Sequence, residues 1–228
     1  MKKRKKKCVI LLSGGLDSSV VLSICNQLKY EIHAISFNYK QRHAKELDLA
    51  KWQAKKNNVL SHKIFNIDLY GGSALTDDIK VPENKDVASI PKTIPVTYVA
   101  GRNLVFLSIA AGYAESLDID DIYLGVNSVD YSGYPDCRKE FIVSFEQMIN
   151  NCTKKGLEGR SFKIKTPLIN LSKCEIVLLG KKNSVDFSKT SSCYNPKNSK
   201  SCGLCDSCLL RKKGFEEAKV KDPLVYDV

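Results

Sequence analysis

Apolar positions along the first 130 residues fall into two alternating patterns. Short runs at Cys8–Leu12, Glu31–Asn38 and His62–Ile67 are rich in apolar and β-branched side chains and predict buried strands. Between them, Asp17–Leu28 and Arg42–Asn58 carry helix formers, with Leu47, Leu49, Ala50, Trp52 and Ala54 as the apolar positions of the second. The order β-α-β-α-β predicts a parallel sheet wound with helices on both faces, with a ligand crevice at the carboxyl ends of its strands. Tyr70–Pro95 breaks the rhythm with Gly71-Gly72, Pro82, Pro91 and Pro95, and is read as a long loop, a candidate lid. Helical patterning resumes at Asn103–Ser116, followed by a strand at Asp121–Val126, a turn-rich stretch to Arg138, a helix at Lys139–Asn151, a strand at Phe162–Thr166 and a short helix at Lys173–Lys181. Beyond that point the chain is dominated by cysteines.

Composition narrows the classes. With 43% apolar and 27% charged residues, the 228-residue chain has the make-up of a folded domain with a sizeable core. Its net charge of +11 invites a nucleic-acid reading, but Lys2, Lys3, Arg4, Lys5, Lys6 and Lys7 supply six of the 36 basic residues. Without them 30 basic residues face 25 acidic ones, an ordinary +5. The block is read as a solvated lead-in to the first strand rather than an RNA- or membrane-binding element. The apolar run after it ends at Ser13-Gly14-Gly15, too soon for a signal sequence, and no apolar run is long enough to span a bilayer. Nine cysteines, an odd number with four packed into sixteen residues, argue for a reducing, cytoplasmic compartment and a metal site rather than a disulfide scaffold.

Two motifs carry chemistry. Ser13-Gly14-Gly15-Leu16-Asp17-Ser18-Ser19 sits where the first strand hands over to the first helix. Paired glycines allow several N–H groups to converge on one spot, the helix dipole favours an anion there, and Ser13, Ser18 and Ser19 add hydroxyls. Asp17 is placed to cap the helix or to hold a metal ion. The spacing matches neither the Walker A loop nor the G-x-G-x-x-G fingerprint, and it resembles the SGGxDS loop of ATP pyrophosphatases, which split ATP to AMP and pyrophosphate. Cys193-x8-Cys202-x2-Cys205-x2-Cys208 offers four thiolates, enough to close a structural zinc site. A ferredoxin-type cluster would call for a further Cys-Pro, where this chain has Leu209-Leu210-Arg211.

Three further segments complete a series: Phe37-Asn38-Tyr39-Lys40-Gln41-Arg42-His43, Gly101-Arg102-Asn103, and Gly125-Val126-Asn127-Ser128-Val129-Asp130-Tyr131-Ser132-Gly133-Tyr134-Pro135-Asp136-Cys137-Arg138. With the loop and the cysteines, the chain resembles the 7-cyano-7-deazaguanine synthase family of the queuosine pathway over nearly its whole length. One departure is Ala100, where that family usually has proline before the GRN glycine.

The resemblance implies an α/β, doubly wound parallel sheet of the adenine nucleotide alpha hydrolase type, spanning 1–185, with a C-terminal four-cysteine zinc-binding appendage at 186–228. It implies ATP-dependent conversion of 7-carboxy-7-deazaguanine and ammonia to the nitrile, with ATP, Mg2+ and Zn2+, in a homodimer with no stable nucleic-acid partner. Leu12, Ser13, Gly14, Gly15, Leu16, Asp17, Ser18, Ser19, Phe37, Arg102 and Gly125 are then expected to contact the nucleotide. Tyr39, Gln41, Arg42, Asn127 and Arg138 are expected near the second substrate. Asp130 or Asp136 would read the base and Tyr131 or Tyr134 would stack on it. Asp17, Arg102 and His43 are the expected catalytic groups, with Arg102 as an oxyanion clamp and His43 shuttling a proton from ammonia. A pyrophosphate-loop enzyme acting directly on tRNA is the nearest alternative, and a non-enzymatic zinc-ribbon adaptor a more distant one.

Overall fold

The computed structural model describes residues 5–39, 45–68, 71–91, 93–127, 133–197 and 200–227, Lys45 by its backbone alone. Five strands form one parallel sheet: β1 (Lys7–Leu11), β2 (Glu31–Asn38), β3 (Ser61–Asn66), β4 (Asp121–Tyr123) and β5 (Lys163–Lys165), in the order β3-β2-β1-β4-β5. The chain moves outward from β1 to β3 and then returns to the other side of β1. The strand order reverses there, and the loops after β1 and β4 diverge to leave a crevice.

Side-chain alternation in the strands sorts the core into two layers. Val9 and Leu11, Ile35 and Phe37, and Ile122 point to one face, covered by α3 (Arg102–Ser116) and α4 (Lys139–Cys152). Cys8, Ile10 and Leu12, Ile32 and Ala34, and Tyr123 point to the other, covered by α1 (Leu16–Gln27), α2 (Lys45–Lys56), α6 (Lys173–Lys182) and α7 (Asp206–Glu217). A four-residue helix, α5 (Lys154–Leu157), brings Lys155 under the sheet, where its buried Nζ donates to Ile119 O and Asp120 Oδ1, each at 2.6 Å. Predicted and observed elements agree to within a few residues. Two differences stand out: β4 ends at Tyr123 rather than Val126, and α7 occupies part of the tail for which the sequence offered only cysteines.

The long loop is a loop, apart from one 3-10 turn at Val87–Ser89, but its described part is not a free lid. Ala74 and Val81 are buried against the cysteine cluster, and Asn84 bonds to Leu204 O and Asp206 Oδ1 across it. Apolar contact with the tail converts this stretch into a strap over the cysteines.

Candidate active site

A cavity of about 270 Å³ opens at the crevice between the loops after β1 and β4. Its polar end is the Ser13–Ser19 loop. Gly14 has φ +83°, and a Cβ there would lie 2.2 Å from Glu46 O and 2.9 Å from Ala50 N, so α2 packs directly on its backbone. The serines close the loop on itself. Ser18 Oγ lies 3.0 Å from Ser13 Oγ, and Ser19 Oγ donates to Gly15 O at 2.6 Å. No side chain caps α1, so its first turn faces the cavity with the open amides and positive dipole end that bind anions.

Asp17 therefore does not cap its helix. Its carboxylate accepts from Lys173 Nζ at 2.9 and 3.0 Å and from Asn127 Nδ2 at 3.2 Å. Asn127 is fully buried behind it, whereas Lys173 lines the cavity and adds positive charge beside the loop. Gly125 serves by its smallness, since a Cβ there would meet Ser18 N at 3.2 Å.

The middle of the cavity is apolar. Phe37 stacks on Phe106 with centroids 3.9 Å apart and planes 8° from parallel, beside Leu124 and Val126. Arg102, the first residue of α3, also lines the cavity, and its Nη1 donates to Tyr39 Oη at 3.4 Å. Burial works against its charge, but the neighbouring groups of Tyr39, Cys137, Tyr194 and Asp136 outweigh that and hold the guanidinium protonated. Burial likewise pushes the Tyr39 phenol up. Asp136 accepts the Asn103 amide at 2.8 Å, so it caps α3 and fixes the helix end that carries Arg102. Tyr134 Oη lies 2.9 Å from Thr97 Oγ1 and 3.5 Å from Tyr194 Oη. Glu46 also faces the cavity, and burial pushes its carboxyl up to about 7 although Arg102 pulls it down.

Next to the cavity the four sulfurs of Cys193, Cys202, Cys205 and Cys208 all lie within 4.8 Å of one another, and all four residues are buried. A tetrahedron of Zn–S bonds about 2.3 Å long has S–S edges of about 3.8 Å. Backbone N–H groups of Asn195 and Cys202 donate to Cys193 Sγ, that of Tyr194 to Cys205 Sγ and that of Cys205 to Cys202 Sγ, at 3.2–3.4 Å. Such bonds favour thiolates, which is the form a metal ion requires. The donor set therefore fits one tetrahedral, closed site for a soft or borderline divalent ion.

With this geometry in view, comparison with known proteins is decisive. A profile described as "Queuosine biosynthesis protein QueC" matches residues 7–219. The chain belongs to this family. It is 52% identical to the 7-cyano-7-deazaguanine synthase of Citrifermentans bemidjiense over 97% of this chain and 98% of that one. It is 53% identical to the protein of the same name from Hydrogenovibrio crunogenus, over 97% and 96%. Among solved structures, NMN synthetase from Francisella tularensis is similar at a TM-score of 0.51 and 14% identity, covering 99% of this chain and 91% of that one, a likeness of fold. No helix among the described residues is long and apolar enough to cross a membrane.

In this QueC-family chain the expected residues divide into three groups. Leu12, Ser13, Gly15, Leu16, Asp17, Ser18, Phe37, Tyr39, Arg102, Gly125 and Tyr134 line one cavity. Gly14, Ser19, Asn127 and Asp136 stand behind that lining and hold it, while Arg138 is exposed ahead of α4 and does not face the cavity. Gln41, Arg42, His43, Asp130 and Tyr131 lie outside the described residues. The sequence reading missed Lys173, Glu46 and Tyr194 as lining residues. Lys173 gives no local signal, because 156 residues separate it from Asp17. Glu46 comes three positions after His43 in the sequence and was visible as a carboxylate at the start of a helix.

Proposed function

We propose that this chain makes 7-cyano-7-deazaguanine from 7-carboxy-7-deazaguanine and ammonia, activating first the carboxylate and then the amide with ATP. The observation that carries the reading is an anion-binding loop and a half-buried arginine lining one cavity, in a chain of this family. A carboxylate is a poor electrophile because oxide would have to leave. Attack of its oxygen on the α-phosphorus expels pyrophosphate, and ammonia then displaces AMP to form the amide. The amide oxygen repeats the attack on a second ATP, and loss of AMP and a proton leaves the nitrile.

In this reading Ser13, Gly15, Leu16 and Ser18 hold the β- and γ-phosphates, Gly14 and Ser19 shape the loop from behind, and Lys173 balances the charge. Leu12, Phe37 and Gly125 form the floor under the rest of the nucleotide. Arg102 clamps the carboxylate or the phosphate that becomes attached to it, a task suited to a guanidinium kept charged by its surroundings. Tyr39 and Tyr134 bound the base, while Asp136 acts through α3 and leaves the donor edge of the base to Asp130. Positioning and charge neutralisation supply most of the acceleration.

Asp17, paired with Lys173 in this structure, is the carboxylate that would hold Mg2+, and the ion would supply charge neutralisation on the phosphates. Cys193, Cys202, Cys205 and Cys208 hold Zn2+, which supplies a cross-link and no chemistry. The reading places the enzyme in a reducing cytoplasm, as a homodimer acting on the free base.

The test is incubation with 7-carboxy-7-deazaguanine, ammonium and Mg-ATP, following base and nucleotide products by mass. Nitrile with two AMP per turnover is expected. Nitrile with ADP would overturn the adenylation chemistry, and ATP hydrolysis that appears only with tRNA would overturn the substrate.

A further inference from the structure

The segment from Phe187 to Cys193 runs between the cysteine cluster and the phosphate loop, and a side chain that belongs to neither ties them together. Gln53, in the third turn of α2, is 3% exposed. Its Nε2 donates to Gly14 O at 3.3 Å and to Lys189 O at 2.7 Å. Both partners are carbonyl oxygens, which only accept, so they fix which way the amide faces. Oε1 points away from them, buried, and has no partner among the described residues. The fold thus leaves one buried acceptor unsatisfied in order to keep the amino group where it is. Gly14 O is held a second time by Ser191 N–H at 3.1 Å.

What this controls is the next amide along the chain. The C=O and N–H of a trans peptide point to opposite sides, and no peptide bond in the described chain is cis. Holding Gly14 O toward α2 turns the Gly15 N–H to the cavity, where it meets Ser13 Oγ at 3.2 Å. Between two glycines this peptide rotates more cheaply than any other in the loop. A flipped peptide would present a carbonyl dipole to the phosphates in place of a donor.

We propose that Gln53 is a positioning residue for the nucleotide: it locks the Gly14–Gly15 peptide so that an N–H, not a carbonyl, faces the pyrophosphate. This rests on the reading of the site as an ATP pyrophosphate loop. It also gives the C-terminal segment a part in nucleotide binding, since the same amide grips Lys189.

The experiment measures binding of inorganic pyrophosphate and Mg-ATP to the full chain by calorimetry, with KM for both substrates. Gln53→Met keeps length and volume but removes the donor. Affinity for pyrophosphate and ATP is expected to fall about tenfold, with KM for the deazapurine acid changed less than twofold. Gln53→Glu turns an acceptor toward both carbonyls when ionised and donates again when protonated. Its ATP affinity relative to wild type should therefore recover between pH 8 and pH 6, a rescue that a residue serving only stability would not show. Pyrophosphate affinity of Gln53→Met within twofold of wild type would overturn the proposal, as would equal losses for both substrates. If that variant does not fold, a pH-independent Gln53→Glu ratio overturns it alone. A wild-type chain that binds neither pyrophosphate nor ATP overturns the pyrophosphate-loop reading and this inference with it.

Discussion

The phosphate loop makes its serine contacts among its own seven residues and takes outside partners at two points, Gly14 O from Gln53 and Ser191 and Asp17 from Lys173 and Asn127. Ser13 bonds to Ser18, Ser18 and Ser19 both donate to Gly15 O, and the helix that follows supplies the open amides. The segment that closes over it from the C-terminal side has the opposite construction. Phe187 O and Thr190 Oγ1 are held by Arg211, 24 and 21 residues away, and Lys189 O by Gln53, 136 residues away. Arg211 is itself 2% exposed and forks onto Asp222 at 2.9 and 3.0 Å. One wall of the cavity is thus mainly local and made of small residues, with outside ties at Gly14 and Asp17. The other is assembled from distant parts by a buried ion pair and a cluster of cysteines. The first wall should lose ligand affinity before it loses its fold, and the second the reverse.

The harshest way to break the second wall is at the cysteines. Cys202→Ser removes one of the four sulfurs of a site that fits zinc, an ion worth on the order of 10 kcal/mol or more to folding in small zinc domains. Metal content and soluble yield are expected to fall together, as read by elemental analysis of purified protein. A Cys202→Ser protein that stays folded, metal-loaded and active would show that the cluster is dispensable and that Arg211 alone holds the tail.

A smaller effect is expected at the ion pair. Arg211→Met leaves the Asp222 carboxylate buried without its cation and should cost about 3–5 kcal/mol in urea unfolding. Asp222→Asn, which keeps its bonds to Leu224 N–H and Tyr226 Oη within reach, should recover at least half of that loss in the double variant. Strict additivity of the two changes would mean that the pair is not the unit that holds the segment.

The same contrast explains what the sequence made legible. The sheet, its order of helices and the SGGLDSS loop follow from period and local spacing, because each depends on neighbours in the chain. The four cysteines were legible because a set able to close one metal site has a recognisable spacing. Helix α7 was not, because its pattern carries Arg211 at a buried position, and an arginine there signals solvent until its partner is known. Gln53 was invisible for a related reason: on an amphipathic helix a glutamine is usually a surface residue. Asp136 looked like a free carboxylate, but its partner is the amide of Asn103, 33 residues earlier, in the first turn of α3. Lys173, which now stands beside Asp17, had no spacing to betray it.

The smallest expected effect lies on the seam between the two walls, at Glu46. Its carbonyl presses on Gly14 while its side chain faces the cavity, and among the described residues Arg102 on α3, Tyr39 just after β2 and Cys193 of the tail are the charged or titratable groups around it. Burial raises its carboxyl to about 7, from 4.5 in a free chain, against the pull of Arg102. Between those two values the folded chain keeps a proton that the unfolded chain has released. Stability contributed at this group is therefore full below about pH 4.5 and declines as pH rises through about 7. Glu46→Gln cannot ionise and should remove that decline. After a discount for partial exposure, the drop in unfolding free energy from pH 5 to pH 8 should be about 1 kcal/mol larger in wild type than in the variant. Urea titrations at the two pH values measure it. Equal drops would mean that Arg102 keeps Glu46 ionised throughout, and that the base-side end of the cavity carries a standing ion pair rather than a free guanidinium awaiting its substrate.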